Sequence, residues 1–174
     1  MTRAMNKRKA VLNTLNIVII LLLLIITICG ISAFNTSYSY EIVNQYGESI
    51  QMWGAGIYAH DSYFKAPIFI GSDFTILIFI VPLTIITFLR NKKVSAIEYD
   101  IRVLGILSIL LYYSASLAFG VTYNSLHLVY ILLFGLCFFT ECFKLAKLYA
   151  IDIRQKKVCS YQFTRGEPWG PRNG

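Results

Sequence analysis

Four long apolar blocks, separated by two short polar segments and one long mixed one, dominate the pattern of this chain. They run over about Val11–Phe34, Ser72–Arg90, Val103–Val121 and Leu126–Tyr149. At about 1.5 Å of helical rise per residue, each is long enough to cross a hydrocarbon core of about 30 Å. The pattern predicts an all-α membrane protein, a four-transmembrane-helix bundle over residues 11–149. A basic N-terminal stretch (1–10) precedes it, and a basic tail (150–174), disordered over Gly166–Gly174, follows it.

Finer periodicity assigns faces to these helices. In the first, Asn13, Asn16, Ile20, Leu23, Thr27 and Gly30 recur at steps of three and four, so this face is predicted to look into the bundle. The fourth repeats the spacing with His127, Tyr130, Phe134, Cys137, Glu141 and Lys144. The third is rich in small residues, and Ser116 with Gly120 has the small-x-x-x-small spacing of close helix packing. In the second, Pro82 removes the donor to the Ile78 carbonyl. Two starts remain open for that helix: a cap at Ser72 and Asp73, or a start near Pro67 with Asp73 inside.

The mixed segment 35–71 is predicted to be an ordered loop. Tyr38, Tyr40 and Ile42 alternate with Ser39, Glu41 and Val43, and Gly47 marks a turn before Ile50–Trp53, the signature of a short β-hairpin. Ile57–Phe64 is rich in aromatic residues and reads as an interfacial helix at headgroup level. Thr122–Ser125 is short enough to make the third and fourth helices a tight antiparallel hairpin.

Composition strengthens the membrane reading. With 56% hydrophobic residues in a chain of 174, a soluble domain would have nowhere to bury its apolar surface. All sixteen Lys and Arg except Lys65 fall in the N-terminal stretch, in Arg90–Arg102, or from Lys144 onward. With Glu98, Asp100, Glu141, Asp152 and Glu167 that side nets +10, whereas Lys65 against Glu41, Glu48, Asp61 and Asp73 leaves the other at −3. Basic flanks stay in the cytoplasm, so both termini are expected inside the cell membrane and the 35–71 loop outside. The first block exceeds the ~7 to 15 apolar residues of a signal peptide, and cleavage would export the basic tail, so it is read as a retained helix.

This sorting accounts for a pI near 9.3 without nucleic acid. Anionic lipid headgroups are the expected partners of Arg3, Lys7, Arg8, Lys9, Arg154, Lys156 and Lys157, with a protein partner or homo-oligomer as the other class. Cys29, Cys137, Cys142 and Cys159 include no pair in the outer loop and no C-x-x-C, which argues against a disulfide framework or thiol exchange. They read as small buried hydrophobes.

Candidate chemistry gathers at the outer ends of the helices. Tyr58, His60, Asp61, Ser62 and Asp73 come from the loop and the start of the second block, and Tyr123, Asn124 and His127 from the last hairpin. Two carboxylates and two imidazoles would serve a divalent metal or acid–base chemistry if folding brought them together. Their spacing matches no metal signature, so the metal is unknown, and no cofactor is strongly implied. The bland alternatives are a helix cap for Asp73, a solvated turn for His60 and Asp61, and a satisfied interfacial ring for His127. Glu141, an acid well inside the fourth block, reads either as a proton or cation relay or as an ion pair with Lys144 and Lys147.

The run Gly54, Gly56, Ile57, Tyr58, Asp61, Ser62, Ala66, Pro67, Gly71 and Asp73, followed by a proline-bearing span and by Gly120 and Asn124, resembles an uncharacterised family of small prokaryotic integral membrane proteins. The likeness covers about 54–135 and implies topology and outer-face placement; no activity accompanies it. Three roles stay open. The leading one is a non-enzymatic ligand-sensing, accessory or interaction protein with a polar pocket at its outer face. Next comes a small-solute or ion transporter using the Asp and His cluster and Glu141, and last a membrane-embedded enzyme.

Overall fold

The computed structural model describes residues 2–89 and 96–165, with side chains over 14–153 other than those of 36, 88 and 90–96. The expected headgroup contacts of Arg3, Lys7, Arg8, Lys9, Arg154, Lys156 and Lys157, the inward face of Asn13, the Cys159 thiol and the Gly166–Gly174 end lie outside those described residues.

Helix α1 (Thr2–Ser32) leads into a loop holding β1 (Tyr40–Val43) and β2 (Ser49–Met52). A rod follows, made of α2 (Lys65–Thr75), a π-helical turn (Ile76–Ile80) and α3 (Val81–Leu89). Helices α4 (Ala96–Gly120) and α5 (His127–Arg165) complete the chain, and α5 stays helical well into the tail expected to be partly disordered. Among the described residues four helices are long and apolar enough to cross a membrane: Thr14–Ser32, Lys65–Thr87, Ile97–Gly120 and His127–Ile153. Of their most apolar stretches only 28%, 22%, 44% and 28% is buried within the protein, so most of that apolar surface faces outward.

The inward faces follow the periodicity. Ile19, Leu23, Ile26 and Thr27 of α1 and Ala33 just after it are buried, as are Tyr130, Leu133, Cys137 and Thr140 of α5. In α4 the buried set is Asp100, Val103, Ile106, Leu107, Leu110, Tyr113, Ser114, Leu117 and Ala118, again at steps of three and four, with Val121 buried just beyond its end. Helices α4 and α5 pack most extensively on one another, as their short connection requires. The small-residue spacing has a narrower effect: a side chain on Gly120 would press the Phe69 ring at 3.0 Å, while Gly105 faces open space.

The second rod begins at Lys65, so Ser72 and Asp73 are interior helical residues and cap nothing. Ser62 lies at the start instead, its Oγ accepting the Lys65 N–H at 3.3 Å, while the Ser72 hydroxyl donates to the Ile68 carbonyl. Pro67 is tolerated in the first turn, where its missing N–H is not needed. The π turn closes with the Val81 N–H on the Ile76 carbonyl, one residue before Pro82. The ladder thus widens just where the proline withdraws a donor.

The hairpin forms as the alternation predicts, antiparallel with Ile42 opposite Ile50. Asn44 fixes its turn by accepting the Tyr46 and Glu48 N–H groups on its side chain. The interfacial helix over Ile57–Phe64 does not form. Gly56–Tyr58 makes one 3-10 turn, after which the chain runs back beside β2, with Trp53 N–H on the Asp61 carbonyl and Tyr63 N–H on that of Gln51. Gly54 and Gly56 permit this reversal with φ of 77° and 58°. A side chain on Gly54 would strike the Tyr38 carbonyl oxygen and one on Gly56 the backbone of Ala33.

Candidate functional site at the loop end

Asp73 organises the end of the bundle that carries the loop. It is fully buried, and its Oδ2 accepts the Tyr58 hydroxyl at 2.7 Å while its Oδ1 accepts the Tyr113 hydroxyl. The helical setting of α2 turns it inward, with Ala66 and Ile70 on the same buried face. Gly30 of α1 makes the room, since a Cβ there would lie 1.7 Å from Asp73 Oδ2. One carboxylate thereby joins the loop, α2 and α4 against α1. Burial, with the Asp73 carboxylate beside it, pushes the Tyr58 hydroxyl well above its ordinary range. Tyr58 also stacks on Phe69 at 5.8 Å, so its ring is held as firmly as its hydroxyl.

Asp61 makes a second tie. Its Oδ1 accepts both the backbone N–H and the hydroxyl of Thr122 at 3.0 and 2.9 Å, joining the loop to the turn between α4 and α5. Lys65 lies 3.4 Å from the same oxygen with its ammonium partly in solvent, and Oδ2 is buried without a partner. Trp53, also buried, donates its indole N–H to the Ala33 carbonyl at 2.8 Å and packs between Phe34 and Tyr63. The loop is therefore a fastened cap with its own buried indole.

An open groove of ≈ 460 Å³ runs beside these ties, lined by Cys29, Ser32, Gly56, Ile57, His60, Tyr123, Asn124 and Ser125. Its walls are the chain neighbours of the tying residues: Ile57 precedes Tyr58, His60 precedes Asp61, and Tyr123 follows Thr122. Solvent-exposed His60 faces the Tyr40 hydroxyl at 3.3 Å through Nδ1. Asn124 accepts the Leu126 N–H and donates to the Tyr130 hydroxyl at 3.5 Å. His127 packs between the Tyr123 and Tyr130 rings with a buried, unpartnered Nδ1. The expected cluster is thus divided into separate ties around a groove. Among the described residues no three His, Cys, Asp or Glu side chains are placed to hold a metal together.

Away from the loop, Glu141 departs from the ion pair expected of it. Lys144 reaches Asp100 of α4 at 3.0 Å, and Lys147 bonds the other oxygen of the same carboxylate. Lys144 is 4% exposed and also lies over the Tyr99 ring, whereas Lys147 is half exposed. The near-adjacent lysines turn toward Asp100 because α4 runs antiparallel beside them. Glu141 instead accepts the Ser108 hydroxyl at 2.7 Å on Oε1 and keeps Oε2 buried without a partner.

A polar path from Asp73 to Glu141 would need Tyr112, Thr27 and Asn16. Tyr112 is 78% exposed on the outside of α4, and the Thr27 hydroxyl is bonded to the Leu23 carbonyl of its own helix. Leu23, Ile26, Leu110, Leu117 and Leu133 fill the core around them. Of the cysteines, Cys137 is buried as expected, whereas Cys142 is exposed and Cys29 lines the groove.

The residues that sequence reasoning passed over are Tyr113, Thr122, Asp100 and Trp53. For Tyr113 the signal was present in the Val103, Ile106, Leu110, Tyr113, Leu117 stripe, which separates it from outward-facing Tyr112. Nothing local marks Thr122 or Asp100, because their partners lie far away in the chain. No protein-family model, curated protein or solved structure matches this chain.

Proposed function

We propose that this chain is a multi-pass cell-membrane protein with both termini in the cytoplasm and the cap outside, working without chemistry of its own as a ligand-sensing, accessory or interaction protein. The charge asymmetry supports the orientation. The outward apolar flanks of the four helices support immersion in lipid. Exposed Phe34, Phe64, Phe119 and Tyr123 near the loop end fit an aromatic belt at the outer interface.

One observation carries the functional part: the two buried carboxylates of the loop end, Asp61 and Asp73, are engaged in fastening the cap, while the open groove beside them is lined by uncharged residues, polar and apolar, and a single imidazole. A group that reacts or coordinates needs access, and Asp61 and Asp73 have almost none. Recognition of a small polar ligand needs only a concave surface with a few placed donors and acceptors, and the groove has both. The transport reading keeps one supporting feature, the unpartnered Glu141 oxygen, but lacks the polar column above it.

The test is a thermal-shift screen of the natural protein in lipid nanodiscs against small polar solutes, repeated with Ser125→Phe, which fills the groove. A solute that raises the melting temperature of the natural chain but not of Ser125→Phe supports recognition in the groove. Flux in proteoliposomes that is lost in Glu141→Gln would replace this reading with transport. Turnover lost in Asp61→Asn without loss of stability would replace it with catalysis.

A further inference from the structure

We infer that two copies of this protein join through the open edge of β1, pairing antiparallel about Ile42 to form one four-stranded sheet across two caps. The hairpin register fixes which backbone groups are free. Asn44 N–H bonds the Glu48 carbonyl, and hydrogen-bonded pairs alternate along an antiparallel ladder, so Ile42 and Tyr40 turn their backbone groups toward β2. Glu41 and Val43 therefore point theirs outward. The same parity holds on the far edge of β2, where the outward Gln51 carbonyl is taken by Tyr63 N–H. One edge of the sheet is covered by the cap itself, and the other has no backbone partner among the described residues.

The open edge carries no proline, lysine or bulge, and its one charged residue is Glu41. Proline, lysine and bulges blunt natural edge strands, and Tyr40, Glu41, Ile42 and Val43 offer a straight run in which all four are exposed. Apolar side chains crowd it, with Val43 72% and Tyr46 79% exposed.

The strand is complementary to itself. Pairing about Ile42 sets Glu41 opposite Val43 of the second copy and the reverse, which satisfies the four outward groups of each copy with four hydrogen bonds in all. No like charges stand directly opposite, and each Glu41 carboxylate, diagonal to its counterpart, is already turned to the Ser49 hydroxyl of its own copy at 2.7 Å. Because Ile42 stands opposite Ile50 within each copy, the joined sheet lines up Ile50, Ile42, Ile42 and Ile50 in one apolar row. Shifting the axis to Glu41 would set two carboxylates face to face.

Orientation agrees as well. Ile50 and Met52, on the face shared with Ile42, are half-buried, whereas Ser49 and Gln51 on the other face are exposed. The sheet thus turns its even-numbered face toward its own bundle. A two-fold axis between antiparallel strands stands perpendicular to the sheet and leaves both bundles on the same side of it, as two copies in one membrane require.

The test is oxidative cross-linking in native membranes. Ile42 would lie in a non-hydrogen-bonded pair with its counterpart, at a Cα separation of about 4.5 Å that a disulfide spans. Ile42→Cys is expected to convert the chain to a covalent dimer, while Gln51→Cys, on the covered strand, stays at the background of the natural chain. Adding Val43→Glu, which sets carboxylates opposite one another, or Val43→Pro, which removes an outward N–H, is expected to remove the cross-link and leave the melting temperature near that of the natural chain. An Ile42→Cys chain no more cross-linked than the natural one, or a Gln51→Cys chain cross-linked equally, overturns the proposal and leaves the hairpin side chains to lipid headgroups or another polypeptide.

Discussion

At the loop end, buried Asp73 is held by two phenol hydroxyls and Asp61 by a threonine, with the half-exposed Lys65 ammonium 3.4 Å away; near the other end of α4, Asp100 is held by two lysine ammonium groups. The two regions solve one problem, fixing an acid between helices, with different chemistry. Neutral donors fasten the cap by geometry, because a hydroxyl must sit at one place and angle to serve. Lysines fasten α4 to α5 by charge, and one of them reaches solvent. Loss of a partner should therefore be felt differently in the two places.

The largest expected effect lies at the loop end. Gly30→Leu would drive a side chain into the Asp73 carboxylate, and overpacking of this severity should cost more than about 3 kcal/mol. Its melting temperature in lipid should fall furthest of any single variant named here. Next comes Asp100→Asn, which strands the buried Lys144 ammonium and should cost about 3 kcal/mol. The double change Asp100→Leu with Lys144→Met should recover most of that loss, since an apolar pair leaves no buried charge. Failure to recover would mean that the bonds themselves, and not an avoided penalty, hold this end together.

Smaller effects sharpen the contrast. Tyr58 is held protonated in the folded chain above its ordinary range near 10, so its contribution is fully present below about pH 10 and is lost as pH rises further. Alkaline denaturation curves should consequently fall less steeply for Tyr58→Phe than for the natural chain. Lys147→Ala removes a half-exposed partner and should cost less than about 1 kcal/mol, well below Asp100→Asn. Equal losses would place the anchor on Lys147 instead of Lys144.

Much of the fold was legible in the sequence because helices long enough to span a membrane declare themselves by length and apolar content, and the hairpin by alternation and Gly47. The start of the second rod was legible only as two alternatives, of which the one near Pro67 with Asp73 inside lies close to the observed start at Lys65. Ser72 and Asp73 are a plausible cap in isolation, and only the buried hydroxyls of Tyr58 and Tyr113 show why an acid is carried inside an apolar helix. The same limit explains Glu141. Helical spacing offered it Lys144, but Asp100 on a neighbouring helix took that lysine, and sequence distance hides such competition. At the candidate site, the residue types were legible and their separation was not: Gly54 and Gly56 reverse the chain and send His60 outward while Asp61 turns in.

The measurement that tests the central claim most directly is amide hydrogen exchange, in lipid nanodiscs, of the natural chain against Asp73→Ala. If Asp73 fastens the cap, the hydrogen-bonded amides of Trp53, Gly54, Asp61 and Tyr63 should exchange much faster in the variant, while those of α4 and α5 near Asp100 keep their protection. Unchanged protection in the cap would contradict the account and make Asp73 a buried acid kept for some purpose other than holding the loop.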